Sequence, residues 1–270
     1  MYFNVITPEE HLLRQAAHEL AQSPLVAQIN AVYAEHQWLW RFFPSERDQT
    51  RDFVFRRHDV DQIPRFYVVS KRRPITFSDA WKVQSQDYLP QLAEGQRLSF
   101  QLRANPVVTR PGDPVLDEAG KPKLRSSGKH AGEIKRKVVR HDVVMQAKKQ
   151  LLAEQGFGKD AKWADWKDES NKPLLYELVQ KHCAVWLDGV GKRNGFEIAL
   201  TDEEEPQRKL QVDTYEQNKA GKHNHNICFS TVDFSGELLV TNPELFQQAL
   251  FDGLGPAKAF GCGLLLVRKI

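Results

Sequence analysis

Cysteine is scarce in this chain of 270 residues: Cys183, Cys228 and Cys262 are the only three, an odd number without a CxxC pair. That excludes a disulfide framework and a zinc ribbon, and it predicts reduced, inert thiols. Long apolar runs are missing as well. The longest purely aliphatic run near either end is Leu264 to Val267, far short of the ~20 residues of a membrane span. The opening MYFNVITPEEH has neither the basic nor the apolar region of a signal peptide, so the expectation is a cytoplasmic protein with no membrane partner. No GxxxxGK[ST] string occurs, which excludes a Walker A loop. Nor does one sign of charge dominate, with 38 Lys and Arg against 35 Asp and Glu.

What is present is a folded composition: 41% hydrophobic residues, 27% charged, and 15 Phe, 6 Trp and 6 Tyr. Disorder as the main state is thereby excluded. At roughly 100 to 200 residues per domain, the length allows one large domain or two small ones. The charge, nearly balanced overall, is polarised along the chain. Ten Lys or Arg between Lys121 and Gln150 face only Glu133 and Asp142, a local net of +8. Such a stretch suits a phosphate backbone, although a solvated face or loop has the same composition.

Tyr2 to Ile6 reads as a strand. Thr7-Pro8-Glu9-Glu10 follows as a helix start, with Thr7 as N-cap and Glu10 closing a capping box, and a helix runs to about Gln22. Ser23-Pro24 opens a second helix that ends at Phe43 before Pro44. Within it Ile29, Val32, Tyr33, His36, Trp40 and Phe43 recur at helical spacing on one stripe. Phe53 to Arg56, Arg65 to Ser70 and Val83 to Leu89 are strand-like, and a domain boundary falls at Gly95. Beyond it come an alternating segment from Arg97 to Thr109, a helix over Val143 to Glu154 and an irregular insertion over Gly156 to Lys172. A helix from Pro173 to Leu187 and strands at Phe196 to Leu200, Lys209 to Thr214 and Ile227 to Val232 follow. Asn242-Pro243-Glu244 caps a last helix, which Gly253 ends before a strand at Leu264 to Val267. Strand, helix, strand, strand, helix, strand can be written once on each side of Gly95. The predicted class is α+β, two tandem ferredoxin-like (βαββαβ) domains over 1–94 and 95–270.

His36 is the first candidate for chemistry. An imidazole in an apolar stripe serves as a hydrogen-bonded core group or, with an unperturbed pKa near ~6.5, as a proton shuttle. Tyr33 lies one turn away on the same face, where a phenol can orient a hydroxyl or donate to a phosphate oxygen. Together they suit RNA cleavage without a metal. Gly255, Gly261 and Gly263 form a tail in which backbone N–H groups can approach a phosphate without Cβ interference, or simply a helix cap and tight turn. His223, His225 and Cys228 have metal-capable atoms, but a strand puts Cys228 on the other face. His141-Asp142 lacks the further histidine and terminal aspartate of a phosphohydrolase dyad, and Asp202 to Glu205 reads as a solvated loop.

Three strings carry a resemblance. They are Tyr33-Ala34-Glu35-His36-Gln37-Trp38-Leu39-Trp40-Arg41-Phe42-Phe43-Pro44 followed by Arg51-Asp52-Phe53-Val54-Phe55; Leu102-Arg103-Ala104-Asn105-Pro106; and Gly255-Pro256-Ala257-Lys258 with Gly261-Cys262-Gly263-Leu264-Leu265. In that order, spanning nearly the whole chain, they resemble the Cas6e (Cse3, CasE) family of CRISPR RNA-processing endoribonucleases. The resemblance implies tandem ferredoxin-like domains, a catalytic histidine at His36, an assisting tyrosine at Tyr33 and a glycine-rich C-terminal loop. The chain departs from shorter relatives at the helix from Pro8 to Gln22, around Gly156 to Lys172 and from Leu200 to Lys222.

The reaction expected is attack of the RNA's own 2′-OH on the neighbouring phosphate, giving a 2′,3′-cyclic phosphate and a 5′-OH with no metal and no cofactor. Candidate RNA-binding residues are Arg103, Arg125, Lys129, Lys135, Arg136, Lys137, Arg140, Lys219, Lys222, Gly255, Lys258, Gly261 and Gly263. The expected partners are a CRISPR repeat hairpin, the mature crRNA and the other subunits of a type I-E Cascade. Two alternatives stand beside this: a non-catalytic RNA-binding scaffold subunit with His36 in the core, and a metal-dependent nuclease using His223, His225 and Cys228.

Overall fold

A computed structural model describes residues 1–21, 31–44, 51–126, 131–222 and 225–270; for 31–33, 219–222 and 225–227 only the backbone is described. The first sheet takes β1 (Tyr2–Pro8), β2 (Phe53–Val60), β3 (Ile63–Ser70) and β4 (Trp81–Asp87) in the order β2-β3-β1-β4, with helices α1 (Leu13–Ala21) and α2 (Ala31–Leu39) between β1 and β2. All its pairings are antiparallel. Asp61 and Gln62, both at positive φ, turn β2 into β3 with the twist that a two-residue hairpin needs. The second helix of a βαββαβ unit has no counterpart here, since residues 71–80 are not helical.

Thr7 is not a helix cap. β1 continues through Pro8, which pairs with Trp81, and the Glu9 N–H donates to the Ala80 carbonyl. A single 3-10 turn, Glu10–Leu12, then precedes α1, and Glu9 at its cap makes no side-chain capping bond. Strand pairing has taken the backbone groups that the capping pattern would have used. The helix expected from Ser23-Pro24 starts outside the described residues; α2 is followed by a 3-10 turn over Trp40–Phe42.

Large aromatic rings fill the space under this sheet. Trp38 meets Trp81 at 4.4 Å and Phe66 at 5.0 Å between centroids, and Phe42 meets Phe77 at 4.6 Å edge-on. Aromatic pairs in these geometries add to simple area burial. Glu19 of α1 accepts from the Trp81 indole N–H at 3.1 Å and from the Ser78 hydroxyl at 2.7 Å, which ties the N-terminal helix to the sheet.

Beyond Gly95 the chain forms β5 (Arg97–Ala104), then β6 (Val107–Pro114), β7 (Arg136–Asp142) and α3 (Val143–Glu154), then α4 (Leu175–Arg193), β8 (Phe196–Ile198), β9 (Leu210–Lys222), β10 (His225–Val240), α5 (Pro243–Asp252) and β11 (Leu265–Lys269). The second sheet has the order β11-β5-β10-β8, with β9 added against β10. Without β6, β7, α3 and β9 this is a complete βαββαβ unit in the ferredoxin-like strand order. The Asn242 side chain caps α5 by accepting from the Leu245 N–H at 3.0 Å, and Gly253 at positive φ ends it.

The sheets change over at Gly95, but the division into compact units differs from the one drawn there. Residues 1–106 and 175–270 form one unit, which contains both sheets, and residues 107–174 form another. The segment between β5 and α4 thus groups by its own contacts, apart from the rest of residues 95–270. In that second unit β6 and β7 form a two-stranded sheet, and Val144, Ala147, Leu152 and Trp166 are buried. The Asp142 carboxylate caps α3 by accepting from the Met145 N–H at 2.7 Å. Among the described residues no helix is long and apolar enough to cross a membrane.

Candidate functional site

Strand alternation in β2 sends successive side chains to two different partners. Phe53 and Phe55 join the aromatic core with Trp38 and Leu39 of α2, whereas Val54 packs with Val69 and Leu264. The next two residues are charged and keep the alternation. Arg57 donates to Glu35 of α2, and Arg56 donates to Asp233 of β10 at 3.2 Å. One strand thus binds α2 on one face and the second sheet on the other, and its middle carries a pair of arginines at the cleft.

That cleft encloses about 650 Å³ and is lined by Glu35, Arg56, Arg57, His58, Asp59, Arg103, Asp213, Thr214, Asp233, Phe260 and Gly261. Two ion groups share it. In the first, Arg57 bridges Glu35 and Asp59, meeting the latter through Nε at 2.6 Å and Nη2 at 3.0 Å. Burial pushes the Glu35 carboxyl up, against the hydrogen bond and charge of Arg57. In the second, Asp233 accepts from Arg103 through Nε at 3.0 Å and Nη2 at 2.6 Å, and also from Arg56. The bonds to Asp233 raise the Arg103 guanidinium, whereas burial lowers that of Arg56. Arg103 is also the more exposed, with 37% of its side chain accessible against 9% for Arg56.

His36 does not line this cleft. Its residue exposure is 8%, and its ring lies 5.7 Å from Phe53 and 6.3 Å from Phe55, stacked on the latter, with Trp40 edge-on at 6.2 Å. Its chain neighbour Glu35 does line the cleft. Tyr33 falls in α2, one turn earlier, with only its backbone described.

The glycine-rich tail closes the same region. A Cβ on Gly261, whose φ is +73°, would stand 3.5 Å from the Phe55 ring, so Gly261 and His36 both face Phe55. Gly263 at φ +95° is more constrained, because a Cβ there would lie 2.5 Å from the Leu254 carbonyl oxygen. Its N–H donates to the Arg103 carbonyl at 2.7 Å, which ties the loop to the end of β5. Gly255 is at φ +70° in the same tail. Lys258 lies in a 3-10 turn over Lys258–Phe260 and donates to the Asp252 carbonyl at 2.7 Å; burial lowers its ammonium despite Asp252. Burial also pushes the Cys262 thiol up to about 12, in keeping with an inert cysteine.

The other expected RNA-binding residues divide between two places. Arg125, Lys135, Arg136, Lys137 and Arg140 belong to the unit of residues 107–174 and are exposed, the last three along β7. Lys129 lies outside the described residues. Lys219 and Lys222 belong to β9, where only the backbone is described. Of the metal-capable trio, His223 is outside the described residues and Cys228 is exposed on β10. Among the described residues no group of three or more His, Cys, Asp or Glu is placed to hold a metal ion.

Sequence reasoning missed Glu35, Arg56, Arg57, Asp59 and Asp233. The only local signal was Arg56-Arg57 directly after Phe53-Val54-Phe55, two charges where a half-buried strand would alternate. The carboxylate that answers Arg56 is 177 residues away.

A family model described as CRISPR associated protein matches residues 1–269. The chain is 26% identical over 241 residues to the Cascade subunit CasE of Escherichia coli K12, covering 88% of this chain and 92% of that one. Among solved structures it is similar to a Thermus thermophilus Cse3 bound to an RNA representing a pre-cleavage complex, with 20% identity, TM-score 0.57, and 99% and 98% of the two chains covered. It is also similar to Cas6e from Escherichia coli K-12, with 21% identity, TM-score 0.51, and the whole of both chains covered. At these identities the solved structures establish the tandem ferredoxin-like fold.

Proposed function

The chain belongs to the CRISPR-associated protein family, as a protein of the Cas6e type, and from that membership we propose that it is a metal-independent endoribonuclease of CRISPR repeat RNA. It cuts the precursor at repeat stem-loops, stays bound to the mature crRNA and serves as a subunit of a type I-E Cascade. The observation that carries this reading is the meeting of α2, β2 and the glycine-rich tail, which sets His36 and Gly261 against one ring, Phe55, beside a cleft lined by arginines.

RNA supplies its own nucleophile, so no activated water is needed. The 2′-oxygen bonds to phosphorus, the bond from phosphorus to the 5′-oxygen breaks, and one proton leaves the 2′-OH while one reaches the 5′-oxygen. His36 relays these protons and Tyr33 aligns the hydroxyl. The glycines let backbone N–H groups reach the phosphate, with Lys258 beside them. Incubating the purified protein with its host's repeat RNA tests the reading. A single cut leaving a 2′,3′-cyclic phosphate and a 5′-OH, undiminished by excess EDTA, is the expected result, and cleavage only with added divalent metal would overturn it.

One observation favours a second reading, a non-catalytic RNA-binding scaffold: at 8% exposure among three aromatic rings, His36 fits a core histidine. Intact repeat RNA retained by the wild-type protein is its signature.

Grip on the stem falls to Arg125, Lys129, Lys135, Arg136, Lys137 and Arg140, with Lys219 and Lys222 on the β9–β10 ribbon. An A-form major groove is too narrow for side chains to read, so recognition runs through backbone, 2′-OH and shape. The exposed stretch from Lys135 into β7 makes a specific expectation. Replacing Lys135, Arg136, Lys137 and Arg140 together by Ala should reduce the salt dependence of hairpin binding, since each lost phosphate contact removes roughly 0.7 to 0.9 from the log–log slope. The loss should be alike for stems of different sequence and equal shape. An unchanged slope from low to high salt would remove β7 from the interface.

A further inference from the structure

The mechanism needs a cation at the phosphate, and the second ion group of the cleft has the form of one. This step rests on the reading above. Asp213 of β9, Asp233 of β10 and Arg103 of β5 stand in one row across the second sheet, by the pairings Asp233 with Asp213 and Asp233 with Arg103. Arg56 reaches the same carboxylate from the first sheet. Two guanidiniums therefore share Asp233, while Asp213 accepts from Gln211 at 2.9 Å and Glu35 and Asp59 both bind Arg57. Asp233 takes the Nε and Nη2 side of Arg103. Guanidinium has five N–H groups in a rigid fork, so a carboxylate on that side leaves the Nη1 edge to a second anion.

Two further features mark the place as built. Arg56 is 8% exposed, and its Nη1 is buried without a hydrogen-bond partner among the described residues. A buried unpaired donor is costly and rare. Thr214, which also lines the cleft, has φ +44°, a left-handed conformation that β-branched residues seldom adopt. It lies where the β9–β10 register shifts, between Thr231 and Asp233. Backbone strain of this kind persists where surrounding structure over-determines it, and it concentrates at functional sites.

We propose that Arg103 is the cation that stabilises charge on the scissile RNA phosphate, and that Asp233, shared with Arg56, is the positioning residue that aims its free edge. As the 2′-oxygen attacks and the 5′-oxygen leaves, negative charge grows on the non-bridging oxygens, and a preorganised planar donor serves them better than a flexible ammonium. The Gly263 N–H donates to the Arg103 carbonyl, which ties the glycine-rich tail to the strand that carries Arg103.

Single-turnover cleavage and hairpin affinity, measured side by side on the same repeat RNA, test this. Arg103→Ala should slow cleavage of bound RNA on the order of 10²- to 10³-fold, the scale for loss of one oxyanion donor, with far smaller loss of affinity. Arg103→Lys should recover only part of that rate, because a point charge lacks the fork. Asp233→Asn should slow cleavage roughly ten- to a hundredfold, as for a reacting group misplaced by about 1 Å. Its affinity should be unchanged or tighter, since a negative charge has gone. Added to Arg103→Ala, Asp233→Asn should cost no further rate, because it acts through Arg103. Equal losses of affinity and none of bound-state rate, or full additivity in the double variant, would overturn the proposal. Arg103 is half-exposed, so its two variants keep the test decisive if Asp233→Asn fails to fold. A wild-type protein that leaves the RNA intact removes the endoribonuclease reading and this role together. A cutting wild type with normal Arg103 variants removes only this role.

Discussion

His36→Ala should lower the rate of hairpin cleavage by roughly 10²- to 10⁴-fold, the range for a positioned acid–base group, while affinity for the hairpin stays within a few-fold. The asymmetry follows from where the residue sits. His36 is 8% exposed against Phe53, Phe55 and Trp40, so it has little surface with which to hold RNA. The proposed phosphate contacts fall instead to cations such as Arg136, Lys137 and Arg140, which are exposed along β7. Burial also sets the control, because removing a large packed ring leaves a cavity that costs about 3 to 5 kcal/mol for an aromatic side chain. Thermal unfolding of His36→Ala and His36→Gln should therefore be measured together, the amide filling most of the space without titrating. If both fold, bind and fail to cut, the imidazole is chemical. If His36→Gln cuts at the wild-type rate, or neither variant folds, His36 is a core residue and the scaffold reading is favoured.

The same burial explains what could be read in the sequence and what could not. Elements whose ends are made by local chemistry were legible. α3 occupies Val143–Glu154 as expected because Asp142 caps it from within the segment, and α5 starts at Pro243 because Asn242 does the same. Where a distant strand competed, the local pattern lost: Thr7-Pro8 carries a helix-start signal, yet both residues pair with β4. The β9–β10 ribbon is longer than expected for a related reason. From Tyr215 to Lys222 only Tyr215 and Ala220 are apolar, so no alternation shows there, and the backbone ladder against residues 225–231 extends the strand. The family strings pointed to His36, Arg103 and the glycines because each lies in a contiguous motif. Asp233 lies in none, and its role exists only because β10 pairs with β5 while β2 brings Arg56 to it. The grouping of residues 107–174 rests on contacts within that segment, which a boundary drawn from composition at Gly95 does not register.

Replacing the single 2′-OH next to the scissile phosphate by hydrogen should stop cleavage altogether, a larger effect than any side-chain change. The deoxy hairpin keeps every phosphate and differs by one hydroxyl, so the exposed cations of β7 and the Arg103–Asp233–Arg56 group meet the same charges, and affinity should barely move. In the proposed reaction what disappears is the nucleophile, which neither the relay proposed for His36 nor the alignment proposed for Tyr33 can replace. Excess EDTA separates this chemistry from the alternative that His223, His225 and Cys228 suggest. A metal-bound hydroxide attacks phosphorus from outside and needs no neighbouring 2′-oxygen. Cleavage of the all-ribose hairpin should therefore persist in EDTA, and the deoxy hairpin should stay intact even when Mg²⁺, Mn²⁺ or Zn²⁺ is supplied. Metal-dependent cutting of the deoxy hairpin would sink the 2′-OH mechanism. It would also direct attention to His223, His225 and Cys228. Because the deoxy hairpin binds without turning over, it is also the substrate with which affinities of the Arg103 and Asp233 variants are best compared. A loss of binding on that RNA reports contact alone, with no contribution from the chemical step.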